Sequence, residues 1–255
     1  MSTTSLPPPI PLREVVQTPD YSKKVMDIID RIHRAPDVPG VLEMLRTSTL
    51  TMGARASMYA VAIPEDGSNL TLKVLLACDP LWGYAQHRAC PLEIHPWFAY
   101  ASEHFRPIAA SRIAAEAVQQ REAVAIAHQH GFSSAFIVPT PTGGGLGGFG
   151  VLWLGSGLQG EFDHEDTHVV RVLARTLAME LHEWFANETR DWLLHSAGLQ
   201  PGDLQLLALE RRGAVAHSFQ AALDALVTTT SELELNLNRE AERLARCQPR
   251  RDQRH

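Results

Sequence analysis

Apolar residues recur at helical spacing in four segments of the N-terminal part of the chain. The longest pattern consists of Val169, Leu173, Leu177, Leu181 and Trp184, one turn apart. In the second segment Asp37 is a suitable N-cap and Gly53 a suitable end. The predicted helices are about 21–34, from Asp37 to Gly53, about 114–130 and about 163–187.

Four runs between these helices have the composition and alternation of strands, and they form two hairpins. The first hairpin turns at PEDGSN and the second at TPTGGGLG, which are both rich in turn-forming residues. The predicted strands are 55–63, 70–77, 132–139 and 148–155. Helices outside and an antiparallel sheet inside predict an α+β fold, an α-β-α sandwich, for residues 21–187.

From Leu199 onward the chain has no strand pattern. Three short helical patterns cover 200–211, about 216–226 and 231–246, with Gly213 and Thr228-Thr229-Thr230 between them. Three short helices with a tight polar turn before the third are typical of a helix-turn-helix. A helical dimerisation tail would show the same pattern, so the pattern alone leaves both interpretations open.

These patterns divide the chain into two domains with flexible flanks. A proline-rich tail over 1–20 precedes the sandwich domain over 21–187. A linker over 188–198 then leads to a small all-α helix-turn-helix domain over 199–247, and a basic tail over 248–255 follows.

Composition is that of an ordinary globular protein. The 255 residues are 45% hydrophobic and 20% charged, unlike a disordered or collagen-like chain. The longest apolar run without glycine, from Met58 to Ile63, is far shorter than the ~20 residues of a membrane-spanning helix. The cysteines, Cys78, Cys90 and Cys247, lack the paired spacing of a zinc knuckle or a disulfide framework. We therefore expect a cytoplasmic protein without a cofactor or a membrane partner.

Two segments match the sequence patterns of a catalytic site and a cofactor site but lack the structural context that each pattern needs. HEDTH, from His164 to His168, matches the HExxH zinc pattern, which needs both histidines on one helix face. Here the pattern stands at a helix start that Asp163 is expected to cap, and no third ligand is evident. Three glycines from Gly143 to Gly148 match GxGxxG, but they join two strands, whereas a dinucleotide site needs a following helix. Neither a metal site nor an enzyme is predicted.

The segment from Trp82 to Trp97 carries the most distinctive chemistry of the chain. It brings an indole N–H, an amide, an imidazole and a second aromatic ring into 16 residues. Such a mixture is typical of an apolar pocket with a few orienting polar groups, but a tryptophan-anchored loop packed on the sheet would contain the same residues. The candidate ligand-binding residues are Trp82, Gln86, His95, Trp97, Tyr59 and Trp153.

The order and spacing of these parts resemble the LuxR family of quorum-sensing transcriptional regulators. The ligand domain of that family carries W-x3-Y-x8-D-P before an aromatic-rich helix, and this chain has Trp82, Gln86, His95-Pro96 and Trp97 there. VLEMLRTSTLTMGARASMYAVAIP is similar to the family's early helix and strand, and HGFSSAFIVPTPTGGGLGGFGVLWL to a later strand and hairpin. LQPGDLQLL and LVTTTSELELNLNREAERL are similar to parts of its helix-turn-helix. The resemblance spans about residues 21–247.

The resemblance implies a homodimeric regulator in which a bound ligand orders the sensor domain and positions two DNA recognition helices. The residues that it places at the DNA are Thr229, Asn236, Arg239 and Arg243.

Several positions depart from the family pattern. Where the family has a Tyr and an Asp that bond the acyl carbonyl and the amide of an acyl-homoserine lactone, this chain has Gln86 and His95. A later Trp position is Ala110, and a small hydroxyl position on the last strand is Trp153, which removes pocket volume if it points inward. Neutral His95 could accept one hydrogen bond, and its contact with a ligand would make affinity change between about pH 5.5 and 7.5. These departures argue against a conventional acyl-homoserine lactone and favour another small ligand or a self-filled pocket.

The predicted DNA-binding domain is acidic, which leaves two functions open. Residues 199–247 contain five arginines and seven carboxylates, a net charge of −2, although phosphate contacts supply much of the affinity of such domains. Glu232 and Glu234 stand in the first turn of the recognition helix. The first function is a regulator, ligand-responsive or ligand-independent, with weak DNA binding. The alternative is an anti-activator deficient in DNA binding that forms a heterodimer with a LuxR-type receptor.

Overall fold

A five-stranded antiparallel sheet with the strand order β2-β1-β5-β4-β3 forms the centre of the fold. The computed structural model describes residues 10–64, 70–140, 148–164 and 167–195. The strands are β1 (Ala56–Pro64), β2 (Leu70–Ala77), β3 (Ile108–Ala109), β4 (Ser134–Thr140) and β5 (Gly150–Ser156). The predicted α+β class is therefore confirmed. The four predicted strands are present, β2 with the predicted ends and the other three with ends shifted by one or two residues.

Seven α-helices flank the sheet in the described ranges. They are α1 (Leu12–Val15), α2 (Tyr21–Ile29), α3 (Val38–Thr51), α4 (Pro80–Ala89), α5 (Pro96–Glu103), α6 (Val118–Gln129) and α7 (His168–His195). The prediction that Asp37 caps the second predicted helix is confirmed, because its carboxylate accepts a hydrogen bond of 2.8 Å from the Gly40 N–H. None of the helices in the described ranges is both long and apolar enough to cross a membrane.

The helices α2 and α7 differ from their predicted ranges. The predicted first helix is shorter, because the α-helix ends at Ile29 and a separate 3₁₀ turn, Ile32–Arg34, covers the end of the predicted range. Asp163 does not cap the long helix, since it ends a separate 3₁₀ turn, Glu161–Asp163, before α7 begins at His168. The helix α7 also continues through residues 188–195 of the predicted linker, where the sequence contains no glycine or proline. The predicted helix-turn-helix domain and its DNA-contact candidates, Thr229, Asn236, Arg239 and Arg243, lie outside the described residues.

The side chains of the central strands alternate between the two faces of the sheet, and both faces are buried. Tyr59 and Val61 of β1 point to the face covered by α1, α2, α3 and α7, which we call the α7 face. Met58 of β1 and Trp153 of β5 point to the other face, which is covered by α4, α5 and α6 and which we call the α5 face. Since successive side chains on a strand point in opposite directions, each central strand contributes to both cores. The result is the predicted α-β-α sandwich.

A buried polar network joins the sheet to α7. The Tyr59 hydroxyl lies 3.0 Å from Nδ1 of His182 and 3.3 Å from the Thr140 hydroxyl. Gly150, paired with Thr140 across β4 and β5, lies against this network. A Cβ at position 150 would lie 2.9 Å from His182 Nδ1 and would overlap the Tyr59 and Thr140 oxygens. The network therefore requires glycine at this position.

We expect Gly150→Ala to lower the free energy of unfolding by about 2–3 kcal/mol, because the methyl group overpacks the site and separates buried hydrogen-bond partners. Urea unfolding followed by circular dichroism measures the change. Gly83→Ala is the matched control, since its added Cβ meets only the end of the Leu76 side chain, at 2.8 Å, inside the helix α4. A loss for Gly150→Ala no larger than that for Gly83→Ala would contradict the role of the network.

Candidate ligand-binding site

The helix α4 places Trp82 and Gln86 one turn apart on its buried side. Asp79 is its N-cap, and the Asp79 carboxylate accepts a hydrogen bond of 2.9 Å from the Leu81 N–H. Pro80 occupies the first helical position, where a missing N–H costs nothing. The sequence DPLW thus begins a helix and turns the first tryptophan toward the sheet.

The helix α5 begins in a similar way, with His95 as its N-cap and Pro96 after it. Nδ1 of His95 accepts a hydrogen bond of 3.2 Å from the Trp97 N–H. This bond holds the imidazole at the start of the helix and directs the Trp97 ring to the α5 face of the sheet. Capping by a histidine was not expected from the sequence.

Five aromatic rings meet on the α5 face and form what we call the aromatic cluster: Trp82, His95, Trp97, Phe132 and Trp153. The Trp153 ring centroid lies 5.9 Å from that of Trp82, 4.5 Å from that of His95 and 5.0 Å from that of Trp97. These separations are ordinary ring contacts. Trp153 therefore points inward and occupies the centre of the cluster.

Three rings of the aromatic cluster, together with Gln86 of α4, carry four buried polar atoms that have no hydrogen-bond partner among the described residues. They are Nε1 of Trp82, Oε1 of Gln86, Nε2 of His95 and Nε1 of Trp153. More than nine-tenths of buried polar groups in native proteins have a partner. Two further atoms of this kind in the described ranges, Oγ of Ser48 and Nε of Arg171, belong to the helices α3 and α7.

The hydrogen bond at Nδ1 determines what His95 can offer a ligand. Because Nδ1 accepts from the Trp97 N–H, the proton of the neutral ring lies on Nε2. The one hydrogen bond that the neutral ring can accept therefore comes from Trp97, and the free nitrogen of His95 is a donor. Burial lowers the His95 pKa to about 3, so the pH window expected for an exposed imidazole does not apply.

Gln86 supplies the complementary acceptor. Its Nε2 donates to the Cys90 carbonyl at 3.3 Å, which leaves Oε1 free. The unpartnered atoms are therefore three N–H donors, from Trp82, His95 and Trp153, and one amide acceptor. A ligand that satisfied all four would carry several carbonyl-type acceptors and one N–H or O–H donor.

The structure brings together five of the six residues predicted to bind a ligand, and it separates the sixth. Tyr59 lies on the α7 face of the sheet, where its hydroxyl belongs to the network with His182 and Thr140. Its assignment to the same pocket is therefore wrong, because one step along β1 reverses the face. Trp82, Gln86, His95, Trp97 and Trp153 remain a predicted ligand site.

Phe132 belongs to the aromatic cluster but was not among the sequence candidates. Its ring centroid lies 5.0 Å from that of Trp82. Gly131, with a φ of 96°, turns the chain from α6 toward β4 and places Phe132 against the cluster. The glycine-aromatic pair after a predicted helix is the one sequence signal that could have identified it.

The structure also shows the surroundings of the HExxH and GxGxxG matches. His164 has an extended backbone, whereas His168 is the first residue of α7, so the two histidines do not share a helix face. Across the described ranges, no three His, Cys, Asp or Glu side chains are grouped closely enough to hold a metal ion. Gly148 lies between the antiparallel strands β4 and β5, and Gly143 and Gly145 lie outside the described residues.

The fold is similar to the crystal structure of an N-acylhomoserine lactone dependent LuxR family transcription factor from Burkholderia cenocepacia. The TM-score is 0.55 at 15% sequence identity, and the likeness covers 66% of this chain and 97% of that chain. No protein-family model and no curated protein sequence matches the chain. At this identity the likeness shows the fold alone, and a LuxR-like fold agrees with the resemblance found in the sequence.

We expect His95 to make stability depend on pH below its ordinary pKa of about 6.5. As the pH falls below 6.5, His95 becomes protonated in the unfolded chain. In the folded protein the buried imidazole stays neutral until about pH 3. The free energy of unfolding should then fall by up to about 1.4 kcal/mol per pH unit for this histidine. The variant His95→Asn keeps an N-cap acceptor but has no imidazole. Its free energy of unfolding should therefore decrease less steeply with falling pH, by up to about 1.4 kcal/mol per pH unit.

Urea unfolding at a series of pH values between about 7 and 4 measures these slopes. His87→Asn, which removes an exposed histidine of α4, is the control and should give a profile parallel to the wild type. Equal slopes for His95→Asn and the wild type would show that His95 is not held neutral.

Proposed function

We propose that the chain is a LuxR-like transcriptional regulator whose sandwich domain senses a small molecule at the aromatic cluster and acts by binding rather than by catalysis. The fold likeness and the helix-turn-helix pattern of residues 199–247 support the class of protein. The observation that carries the sensing role is the set of four unpartnered polar atoms in Trp82, Gln86, His95 and Trp153. Action on DNA through two recognition helices requires a homodimer, which is part of the proposal.

Packing alone gives no reason for these four atoms. Each buried polar group without a partner lowers the stability of the fold by about 1–3 kcal/mol. Phenylalanine or leucine at the same position would have no polar group and would avoid this penalty. A bound molecule that accepts from the three donors and donates to Gln86 removes that cost in one step. Ligand binding and cluster stability are then linked, because the molecule stabilises only the state in which it is bound.

The polarity and the volume of the cluster select the ligand. An N-acylhomoserine lactone has two carbonyl acceptors and one amide donor, which suits three N–H groups and one amide oxygen. The volume does not suit a long acyl chain, because the Trp153 ring fills the centre of the cluster. We therefore assign to the site a compact molecule rich in hydrogen-bond acceptors, and we identify Trp153 as the group that excludes larger ones.

Replacing Trp153 should admit a lactone that the wild type excludes. We expect N-hexanoyl-homoserine lactone to bind Trp153→Ala, as measured by calorimetry and by the shift of the Trp82 indole N–H resonance. Adding Trp82→Phe, which removes only the donor, should weaken this binding about fivefold to tenfold. Because Trp→Ala costs about 3–5 kcal/mol of stability, Trp153→Phe serves as a milder variant.

Trp184→Ala is the matched control, since Trp184 is a buried tryptophan on the α7 face. It should lose comparable stability without gaining affinity for the lactone. If the lactone binds neither Trp153 variant, or binds Trp184→Ala as tightly, the aromatic cluster is not the sensing site.

DNA binding by the regulator should depend steeply on salt. We expect fluorescence anisotropy to show that the full chain binds a mixed-sequence duplex at low salt and dissociates as salt rises, since phosphate contacts release counterions. Arg239→Ala and Arg243→Ala should each reduce the slope of log affinity against log salt by about 1. Arg88→Ala, which removes an exposed arginine of α4, should leave the slope unchanged.

The acidity of residues 199–247 favours a second candidate, an anti-activator that pairs with a LuxR-type receptor. The net charge of −2 and the carboxylates of Glu232 and Glu234 would repel phosphates from the predicted recognition helix. No duplex binding at micromolar protein, with and without ligand, together with a stable complex with a LuxR-type receptor, would favour this candidate over the first.

A further inference from the structure

A cavity of about 260 Å³ opens beside the aromatic cluster, at the end of the sheet where β4 begins. Its floor is apolar and buried and consists of Trp97, Ala110 and Ala135. Ile113 and Val124, both partly buried, form its sides. A larger side chain in place of either alanine would occupy part of the cavity. The apolar part of the cavity can therefore hold a small hydrocarbon group.

The rim of the cavity is polar and acidic. The Ser111 hydroxyl donates a hydrogen bond to Oδ1 of Asp163. The Ser133 hydroxyl donates to the His128 carbonyl at 3.2 Å, and the Ser134 hydroxyl oxygen accepts from the Phe162 N–H at 3.2 Å. Asp163 is exposed, so its carboxylate is accessible to a ligand from solvent.

The charges at the rim favour a cation over an anion. Burial lowers the pKa of His128, so its imidazole is neutral near pH 7. Asp163 is then the one charged side chain among the residues that line the cavity. A carboxylate with one oxygen already bonded to Ser111 can accept from a ligand at its other oxygen. An ammonium group satisfies that acceptor, whereas a carboxylate or phosphate group would be repelled.

We propose that this cavity binds a small primary amine with a compact hydrocarbon body, its ammonium group at Asp163 and its body on Trp97, Ala110 and Ala135. The inference goes beyond the proposed function, because the cavity lies outside the aromatic cluster and shares only Trp97 with it. It depends on neither DNA binding nor a lactone, and a direct binding measurement tests it separately.

Three probes of nearly equal shape test the proposal on the full chain: benzylamine, benzyl alcohol and benzoate. Ligand-observed NMR titration should give the highest affinity for benzylamine, an affinity about threefold lower for benzyl alcohol, and the lowest for benzoate. The factor of about three is the scale of an ion pair exposed to solvent. Ala110→Leu, which fills the floor, should abolish the binding of benzylamine and benzyl alcohol alike.

Asp163→Asn isolates the charge, since the amide oxygen can still accept from Ser111. This variant should bind benzyl alcohol as the wild type does and lose the preference for benzylamine. Glu122→Gln, which removes an exposed carboxylate of α6 outside the lining, is the matched control and should retain the preference. If Ala110→Leu fails to fold, Val124→Phe obstructs the cavity from its partly buried side.

Three results would overturn the proposal. Benzylamine without measurable binding to the wild type would exclude the site, and benzoate binding as tightly as benzylamine would exclude its charge selectivity. A preference for benzylamine that survives in Asp163→Asn would place the amine elsewhere. A failed lactone titration in the Trp153 variants leaves this inference unaffected, so the two proposals fail separately.

Discussion

The burial of Trp153 in the middle of the sheet is the constraint on which the α5 face depends. Trp153 stands on β5 between two strands, opposite Met58 of β1 and Ile137 of β4. Protein interiors are close-packed, so a ring of this size requires small neighbours. Ala56 and Ala60, the next residues of β1 on the same face to either side of Met58, are such residues. The position of this one indole then determines where the rings from α4 and α5 can pack.

The same packing leaves the cluster with an unusual polar composition. A core that serves only stability places its N–H groups where they find partners, as Trp184 does by donating to the Ala35 carbonyl at 3.0 Å. Trp82 and Trp153 have the same side chain in a comparably buried setting, but their indole N–H groups lack a described partner. This contrast between tryptophans of one molecule is the reason for proposing a ligand at the α5 face, although the α7 face also holds two unpartnered atoms, in Ser48 and Arg171.

Much of the fold follows from the sequence, because helix spacing, the Asp37 cap and the strand runs are local signals. The sequence predictions that the structure corrects depend on tertiary packing and on backbone geometry. Which face of β1 the helices α4 and α5 cover is decided by tertiary packing, so the alternation around Tyr59 could not assign it to a pocket. The hydrogen bond that His95 accepts was not predicted because its Nδ1 caps α5, and a cap depends on backbone geometry that the residue type does not reveal. Phe132 was missed because Gly131, rather than hydrophobic periodicity, sets its direction.

Trp97 connects the two candidate sites. Trp97 lines the cavity together with Ala110 and Ala135, and its ring centroid lies 5.0 Å from those of His95 and Trp153. Its backbone N–H also makes the bond that fixes the His95 tautomer. A molecule that moves Trp97 from the cavity side therefore changes the packing and the donor geometry of the cluster. Because coupling between two binding sites is reciprocal in free energy, a ligand in the cluster would alter the affinity of the cavity by the same factor.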